Sequence, residues 1–177
     1  MRKFTIVLLI IIVFLLWNSS IVTAQFLEAG VQKLASPIKA RNFTLKALEG
    51  RKISLKGLRG RIVILTFFSP LCSVCQRQSS SFDKLAEEIK NKEAVLLLVA
   101  SRVKEKELVK YKKEFHISIP ILVDRHGSVS KAYGVWGHHE TFFINREGKI
   151  VGKTFAEKDW TSESMRNLIE YLLRERG

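Results

Sequence analysis

The sequence has only two cysteines, Cys72 and Cys75, among its 177 residues. A framework of several disulfide bonds, of the kind that holds many small secreted domains together, is therefore excluded. A bridge between these two residues would close a very short loop, which constrains the unfolded chain far less than a long loop does. A structural zinc site normally takes four ligands, and the chain offers one cysteine pair. The pair therefore indicates reactive chemistry rather than a structural role.

Acidic residues are also scarce. The chain has 17 Asp and Glu against 30 Lys and Arg, which gives a net charge of +13. A basic surface favours acidic partners or anionic lipid headgroups. The basic residues are spread along the whole chain and form no stripe with interleaved aromatic side chains, so we do not expect nucleic-acid binding.

Only one long apolar run is present, over residues 4–17, and it follows two basic residues. It is short for a membrane span and typical of the core of a signal peptide. Small residues at 22–24 offer a cleavage site. We expect residues 1–24 to be a secretory signal peptide or, alternatively, a retained N-terminal membrane anchor. Either reading places the remaining chain in the periplasm or on the outer face of a bacterial cytoplasmic membrane.

The rest of the chain alternates strand and helix patterns after a polar, basic lead-in over residues 25–41. Apolar runs, turn residues and helical spacing predict a β-hairpin within 42–55, strands at 61–68, 94–100, 121–123, 141–145 and 150–155, and helices after Cys75 and over 104–115, 128–133 and 162–175. This order predicts one α/β domain over residues 42–177. Its mixed central sheet is covered by helices on both faces and extended by an N-terminal β-hairpin.

Cys72 lies where a buried strand ends and a helix begins. The unpaired N–H groups and the dipole of a helix N-terminus both favour the thiolate form of a sulfur placed there. Cys75 follows nearly one helical turn later, close enough to attack a mixed disulfide formed at Cys72. The pair thus supplies a nucleophile and a resolving thiol.

Three stretches of the chain carry a recognisable pattern. They read FTLKALEGRKISLKGLRGRIVILTFFSPLCSVC, IPILVDRHGSVSKAYGVWG and TFFINREGKIVGK, in that order. Together they resemble the thioredoxin-like redoxins, especially the exported TlpA/ResA type within the alkyl hydroperoxide reductase/thiol-specific antioxidant superfamily. The resemblance implies a thioredoxin fold and thiol–disulfide exchange with protein partners, in which Cys72 attacks, Cys75 resolves and no bound cofactor is needed. An exported reductant also needs a membrane electron donor, and the uses implied are cytochrome c maturation or envelope redox homeostasis.

The chain departs from this family at several positions. Leu71 stands where a Trp is usual, residues 73–74 lack the usual proline, and Thr66 takes the place of a buried acid or Asn. The largest departure is His139, which occupies the position of a cis-proline that helps to dock substrate and keeps metals away from the thiols. A cis bond before a residue other than proline costs about 2.5–4 kcal/mol, so we expect a trans bond before His139.

Two alternative functions follow from these residues. Two thiolates and one imidazole suit copper or zinc, so Cys72, Cys75 and His139 form an alternative metal site for binding or delivery. Copper-delivery proteins of the Sco type share the fold, although they space their cysteines by three residues. The other alternative is a thiol peroxidase. Ser69 matches its Ser or Thr three residues before the reactive cysteine, but Leu65 stands where its proline would be.

Three further residues are predicted to bind substrate or tune the thiols. A protonated imidazole at His139 would stabilise a nearby thiolate. Glu140 is a candidate for proton transfer, and Trp136 is a candidate apolar lip for partner docking. His138 is interpreted as a loop residue.

Overall fold

The computed structural model describes residues 23–136, 139–155 and 157–175. Almost all of the predicted signal segment 1–24 lies outside the described residues, and so does His138. Within the described part of the chain, no helix has the length and apolar character needed to cross a bilayer.

Eight strands form one sheet in the order β1-β8-β7-β4-β5-β6-β2-β3. The strands are β1 Gln32–Lys39, β2 Thr44–Ala47, β3 Lys52–Ser54, β4 Ile62–Phe68, β5 Ala94–Ser101, β6 Ile121–Asp124, β7 Glu140–Ile144 and β8 Lys149–Thr154. After β1 the helices are α1 Ser73–Ile89, α2 Glu105–Glu114, α3 Ser128–Ala132 and α4 Glu163–Arg174, with a short 3-10 turn at Lys56–Leu58. The described residues 23–28, before β1, are also helical. β4, β5 and β6 are parallel, whereas β7 is antiparallel to β4. The predicted α/β class with a mixed central sheet is therefore confirmed.

Strand β4 divides the interior into two apolar cores. It is buried along its whole length, and its side chains alternate between the two faces of the sheet, as the pleat requires. Ile62, Ile64 and Phe68 belong to the core formed with α1, α2 and α4, and Val63, Leu65 and Phe67 belong to the core formed with α3 and the N-terminal hairpin. The sheet is thus covered on both faces, and the carboxyl end of β4 leads directly into the cysteine segment.

The segment before residue 42 contains a strand that sequence analysis did not assign. β1 pairs antiparallel with β8 at the edge of the sheet, with a register shift between Lys33 and Ile38. Its side chains are mostly exposed and it contains Pro37, so it carries no apolar run. Proline is tolerated at such an edge because no neighbouring strand needs its N–H. Phe26, just before β1, is buried in the core, so this lead-in packs onto the domain.

The predicted helices and hairpin appear with small shifts in their ends. β2 and β3 form the expected antiparallel pair, with Leu45 opposite Ile53. α4 begins after Ser162, whose side chain accepts the backbone N–H of Met165. The predicted apolar face of this helix is buried, namely Met165, Leu168, Ile169 and Leu172.

Candidate functional site

Cys72 occupies the N-cap position of α1, directly after the loop that follows β4. Its backbone is extended, with φ −82° and ψ 113°, and its Sγ accepts the backbone N–H of Cys75 at 3.3 Å. The sulfur therefore stands where a Ser or Asp oxygen stands at an ordinary helix start. The predicted position of Cys72 at a helix start is therefore present, and its side chain is partly exposed.

Cys75 lies beneath Cys72 and is buried, with 2% of its surface exposed. Burial raises the pKa of the Cys75 thiol to about 12, and the hydrogen bond and charge of Cys72 add to that rise. Both sulfurs are free thiols in this structure. The two cysteines thus differ in access, since one faces a partner and the other lies below it.

His139 reaches the sulfurs from the loop before β7. Its ring Nδ1 lies 3.6 Å from Sγ of Cys72. Its backbone has a φ of +66°, and its N–H donates to the carbonyl oxygen of Phe67 at 2.7 Å. The peptide bond before His139 starts at residue 138, outside the described residues, so the expected trans geometry stays a prediction.

The structure brings three of the five predicted site residues into one group. The two sulfurs and a ring nitrogen of His139 all lie within 4.8 Å of one another. Glu140 is the next residue along and opens β7, where it pairs with Phe67. Its side chain is buried, and this burial raises the pKa of its carboxyl, while the charge of Lys153 acts in the opposite direction. Glu140 therefore adjoins the group without belonging to it.

Trp136 and Leu71 are exposed to solvent, with 99% and 81% of their surfaces accessible, and Leu71 directly precedes Cys72. Both line a groove of about 640 Å³, which also runs past Phe68 and Ser69. Exposed apolar side chains that border a groove are typical of an interaction site. Leu71 thus lines the same groove as Trp136, and the docking role of Trp136 stays a prediction.

Two buried polar groups behind the cysteines were missed by sequence analysis. Gln78 accepts hydrogen bonds from Nε1 of Trp160 at 2.7 Å and from the backbone N–H of Lys158 at 3.2 Å. The hydroxyl of Ser79 donates to the carbonyl of Cys75 at 3.0 Å and shares a 2.7 Å hydrogen bond with the hydroxyl of Tyr111. The sequence did contain a sign of these buried groups, because the helix turn after Cys75 carries a run of polar residues where apolar residues would be expected.

An ion pair near the site was missed as well. Arg77 on α1 donates to both carboxylate oxygens of Glu157, at 2.9 and 2.6 Å. This hydrogen bonding lowers the pKa of Glu157, and the charge of His139 lowers it further. The pair is exposed, so it ties the loop after β8 to α1 at the surface close to His139.

Comparison with known proteins identifies the family of this chain. Residues 38–153 match the model of the AhpC/TSA family. A thiol-disulfide oxidoreductase ResA from Bacillus thuringiensis is 26% identical over 141 residues, which cover 80% of this chain and 79% of the relative. A protein of the same name from Halalkalibacterium halodurans is 33% identical over 113 residues, or 64% of each chain.

Solved structures agree on the fold. A thiol:disulfide interchange protein of the thioredoxin family from Chlorobium tepidum superposes with a TM-score of 0.70 at 17% identity, covering 79% of this chain and 99% of the other. The thioredoxin domain of a thiol-disulfide oxidoreductase from Bacteroides vulgatus gives 0.69 at 22% identity, covering 80% and 99%. These likenesses confirm the predicted thioredoxin fold. The AhpC/TSA family model spans most of the chain, and the helix-capping Cys72 and its neighbour Cys75 lie at the end of a central strand. This chain therefore belongs to the AhpC/TSA family.

Proposed function

We propose that this protein is an exported thiol–disulfide oxidoreductase that exchanges its Cys72–Cys75 dithiol or disulfide with partner proteins. The observation that carries the proposal is the pairing of a partly exposed sulfur at a helix N-cap with a buried sulfur one turn below it. The names of the ResA relatives support the same reaction.

The reaction starts at the accessible sulfur. The Cys72 thiolate attacks a disulfide of the partner, forms a mixed disulfide and releases one partner thiolate. The Cys75 thiol then gives up its proton and attacks Sγ of Cys72. This step closes the Cys72–Cys75 disulfide and releases the second partner thiolate, so two electrons pass to the partner. Run in reverse, the same steps oxidise a dithiol partner.

The residues around the pair have distinct proposed roles. His139 stabilises the Cys72 thiolate, because its ring lies within hydrogen-bonding distance of that sulfur. Trp136 and Leu71 form the apolar border over which a partner segment approaches. Glu140 stays a prediction from the sequence as a proton-transfer group.

The proposed setting follows from the start of the chain and from its charge. Residues 1–24 would direct export or anchor the protein, which places the dithiol in the periplasm or on the outer face of the cytoplasmic membrane. A membrane electron donor would then regenerate the dithiol, in cytochrome c maturation or in envelope redox homeostasis. The net charge of +13 would assist contact with acidic partners or with anionic headgroups.

A trapping experiment tests the proposal. Cys75→Ser should stop the reaction at the mixed disulfide, so a disulfide-bonded peptide incubated with this variant should become attached through Cys72, as detected by mass spectrometry. Cys72→Ser should trap nothing, because the remaining sulfur is buried. Full insulin-disulfide reduction by both variants would overturn the proposal. Rapid peroxide consumption that needs Cys72 alone would instead support the thiol peroxidase.

A further inference from the structure

Three metal-ligating side chains converge on one point from two separate segments of the chain. Cys72 and Cys75 come from the start of α1, and His139 comes from the loop before β7. Their sulfurs and ring nitrogen lie within 4.8 Å of one another, and the described part of the chain holds no other such group of His, Cys, Asp or Glu. Thiol–disulfide exchange needs only the two sulfurs, so the imidazole is an additional donor.

The spacing of these donors fits a bound ion. Bond lengths of about 2.3 Å to sulfur and about 2.0–2.1 Å to nitrogen, at tetrahedral angles, separate a sulfur from a nitrogen by about 3.5–3.6 Å. The Sγ of Cys72 and the Nδ1 of His139 are 3.6 Å apart. The other pairs of donor atoms lie within 4.8 Å of each other. Two sulfurs bound to one ion are expected to lie roughly 3.8 Å apart, so side-chain rotations that move the donor atoms by about 1 Å or less would suffice.

The surrounding backbone holds the donors in place. The N–H of His139 is fixed to the carbonyl of Phe67 at 2.7 Å, and the N–H of Cys75 points at Sγ of Cys72 at 3.3 Å. Outer hydrogen bonds of this kind orient metal ligands and tune their affinity. Since Cys72 and His139 are only partly buried, the side of the group that faces solvent is open to an incoming ion.

Two thiolates and one imidazole are soft or borderline donors, which select d10 ions over Mg²⁺ or Ca²⁺. We propose that the reduced protein binds one Cu(I) or Zn(II) ion through Cys72, Cys75 and His139. Binding displaces any protons held by the thiols. Because a Cys72–Cys75 disulfide has no thiolate left to donate, the ion and the disulfide exclude each other, and the bound ion protects the dithiol from exchange.

The test titrates the full chain, reduced and freed of metal, with Cu(I) or with Zn(II) in separate arms against a colorimetric chelator. One ion per chain is expected in at least one arm, and that arm identifies the ion. His139→Asn removes a proposed ligand and should weaken binding by at least about tenfold, since losing only an outer partner of a ligand already costs about tenfold to 100-fold. Asparagine tolerates the left-handed backbone found at this position, so the variant removes the imidazole with little strain.

His116→Asn is the matched control. His116 also has a left-handed backbone, with φ +52°, and is exposed after the end of α2, so the same substitution should leave affinity unchanged. Cobalt(II) added as a spectroscopic probe should give thiolate charge-transfer bands that change in His139→Asn and vanish in the oxidised protein.

If neither Cu(I) nor Zn(II) binds the reduced protein at one ion per chain, the metal site is overturned. Equal affinity in His139→Asn and the unsubstituted protein would also overturn it, because the imidazole would then not be a ligand. The trapping of a mixed disulfide by Cys75→Ser is measured without metal, so it tests the oxidoreductase proposal independently of the metal site.

Discussion

The Nδ1 of His139 lies 3.6 Å from the Sγ of Cys72, although 67 positions of the sequence separate the two residues. The contact exists because β7 runs antiparallel to β4, which brings the loop before β7 to the carboxyl end of β4. The cysteine segment leaves β4 at this same end. The sheet therefore sets the distance between imidazole and sulfur.

The first prediction concerns this contact in the metal-free protein. His139→Asn should slow alkylation of Cys72 by iodoacetamide by about tenfold, because the sulfur loses the ring nitrogen that lies 3.6 Å away. The measurement is the alkylation rate, followed by mass spectrometry. His116→Asn should match the unsubstituted protein. An unchanged rate in His139→Asn would show that the imidazole does not act on the sulfur.

The second prediction concerns the buried amide of Gln78. Gln78→Leu should lower the free energy of unfolding by about 2–3 kcal/mol, because the N–H groups of Trp160 and Lys158 lose their acceptor. Urea unfolding followed by circular dichroism measures the change. Ser80→Ala, at an exposed position of the same helix, should stay within about 0.5 kcal/mol. A loss for Gln78→Leu as small as that of the control would contradict the role assigned to these hydrogen bonds.

The third prediction separates docking from chemistry at Trp136. Because this side chain is 99% exposed, Trp136→Ala should leave the unfolding midpoint unchanged. Removing an apolar contact in a docking surface should lower kcat/KM for a protein disulfide by about fivefold to tenfold. A small aromatic disulfide should react at the original rate. Equal losses for both substrates would indicate a change at the sulfurs instead.

The fourth prediction follows from the three tyrosines. Burial raises the pKa of Tyr111 and of Tyr171 to about 12, and it also raises the pKa of Tyr133. The unfolded chain loses these phenolic protons near pH 10, whereas the folded chain keeps them, so stability should fall as the pH rises from about 10 to 12. Ultraviolet titration should show little tyrosinate in the folded protein at pH 10. Tyrosinate formation with an ordinary midpoint near 10 would contradict the burial.

The sequence predicted the features that depend on neighbours along the chain. The continuous apolar run of β4, the spacing in α4 and the position of Cys72 at a helix start could all be inferred locally. Placing His139 opposite the cysteines required the family resemblance, because nothing local links it to Cys72.

The features that escaped sequence analysis depend on distant partners. β1 is a strand only because β8 offers it an edge, since its own side chains are mostly exposed. Gln78 can be buried only because Trp160, 82 positions away, donates to it. When the sequence does not reveal the hydrogen-bond partner of a polar residue, that residue is predicted to lie on the surface. Only the tertiary structure shows the partner that allows its burial.

The backbone at residue 139 has a consequence for how this loop can evolve. Proline fixes φ near −65° and has no N–H, whereas residue 139 has φ +66° and donates its N–H to Phe67. A change of His139 to proline would therefore need a different φ at this position and would leave the carbonyl oxygen of Phe67 without its donor. Evolution of a proline at this position would therefore require the backbone of the loop to change at the same time.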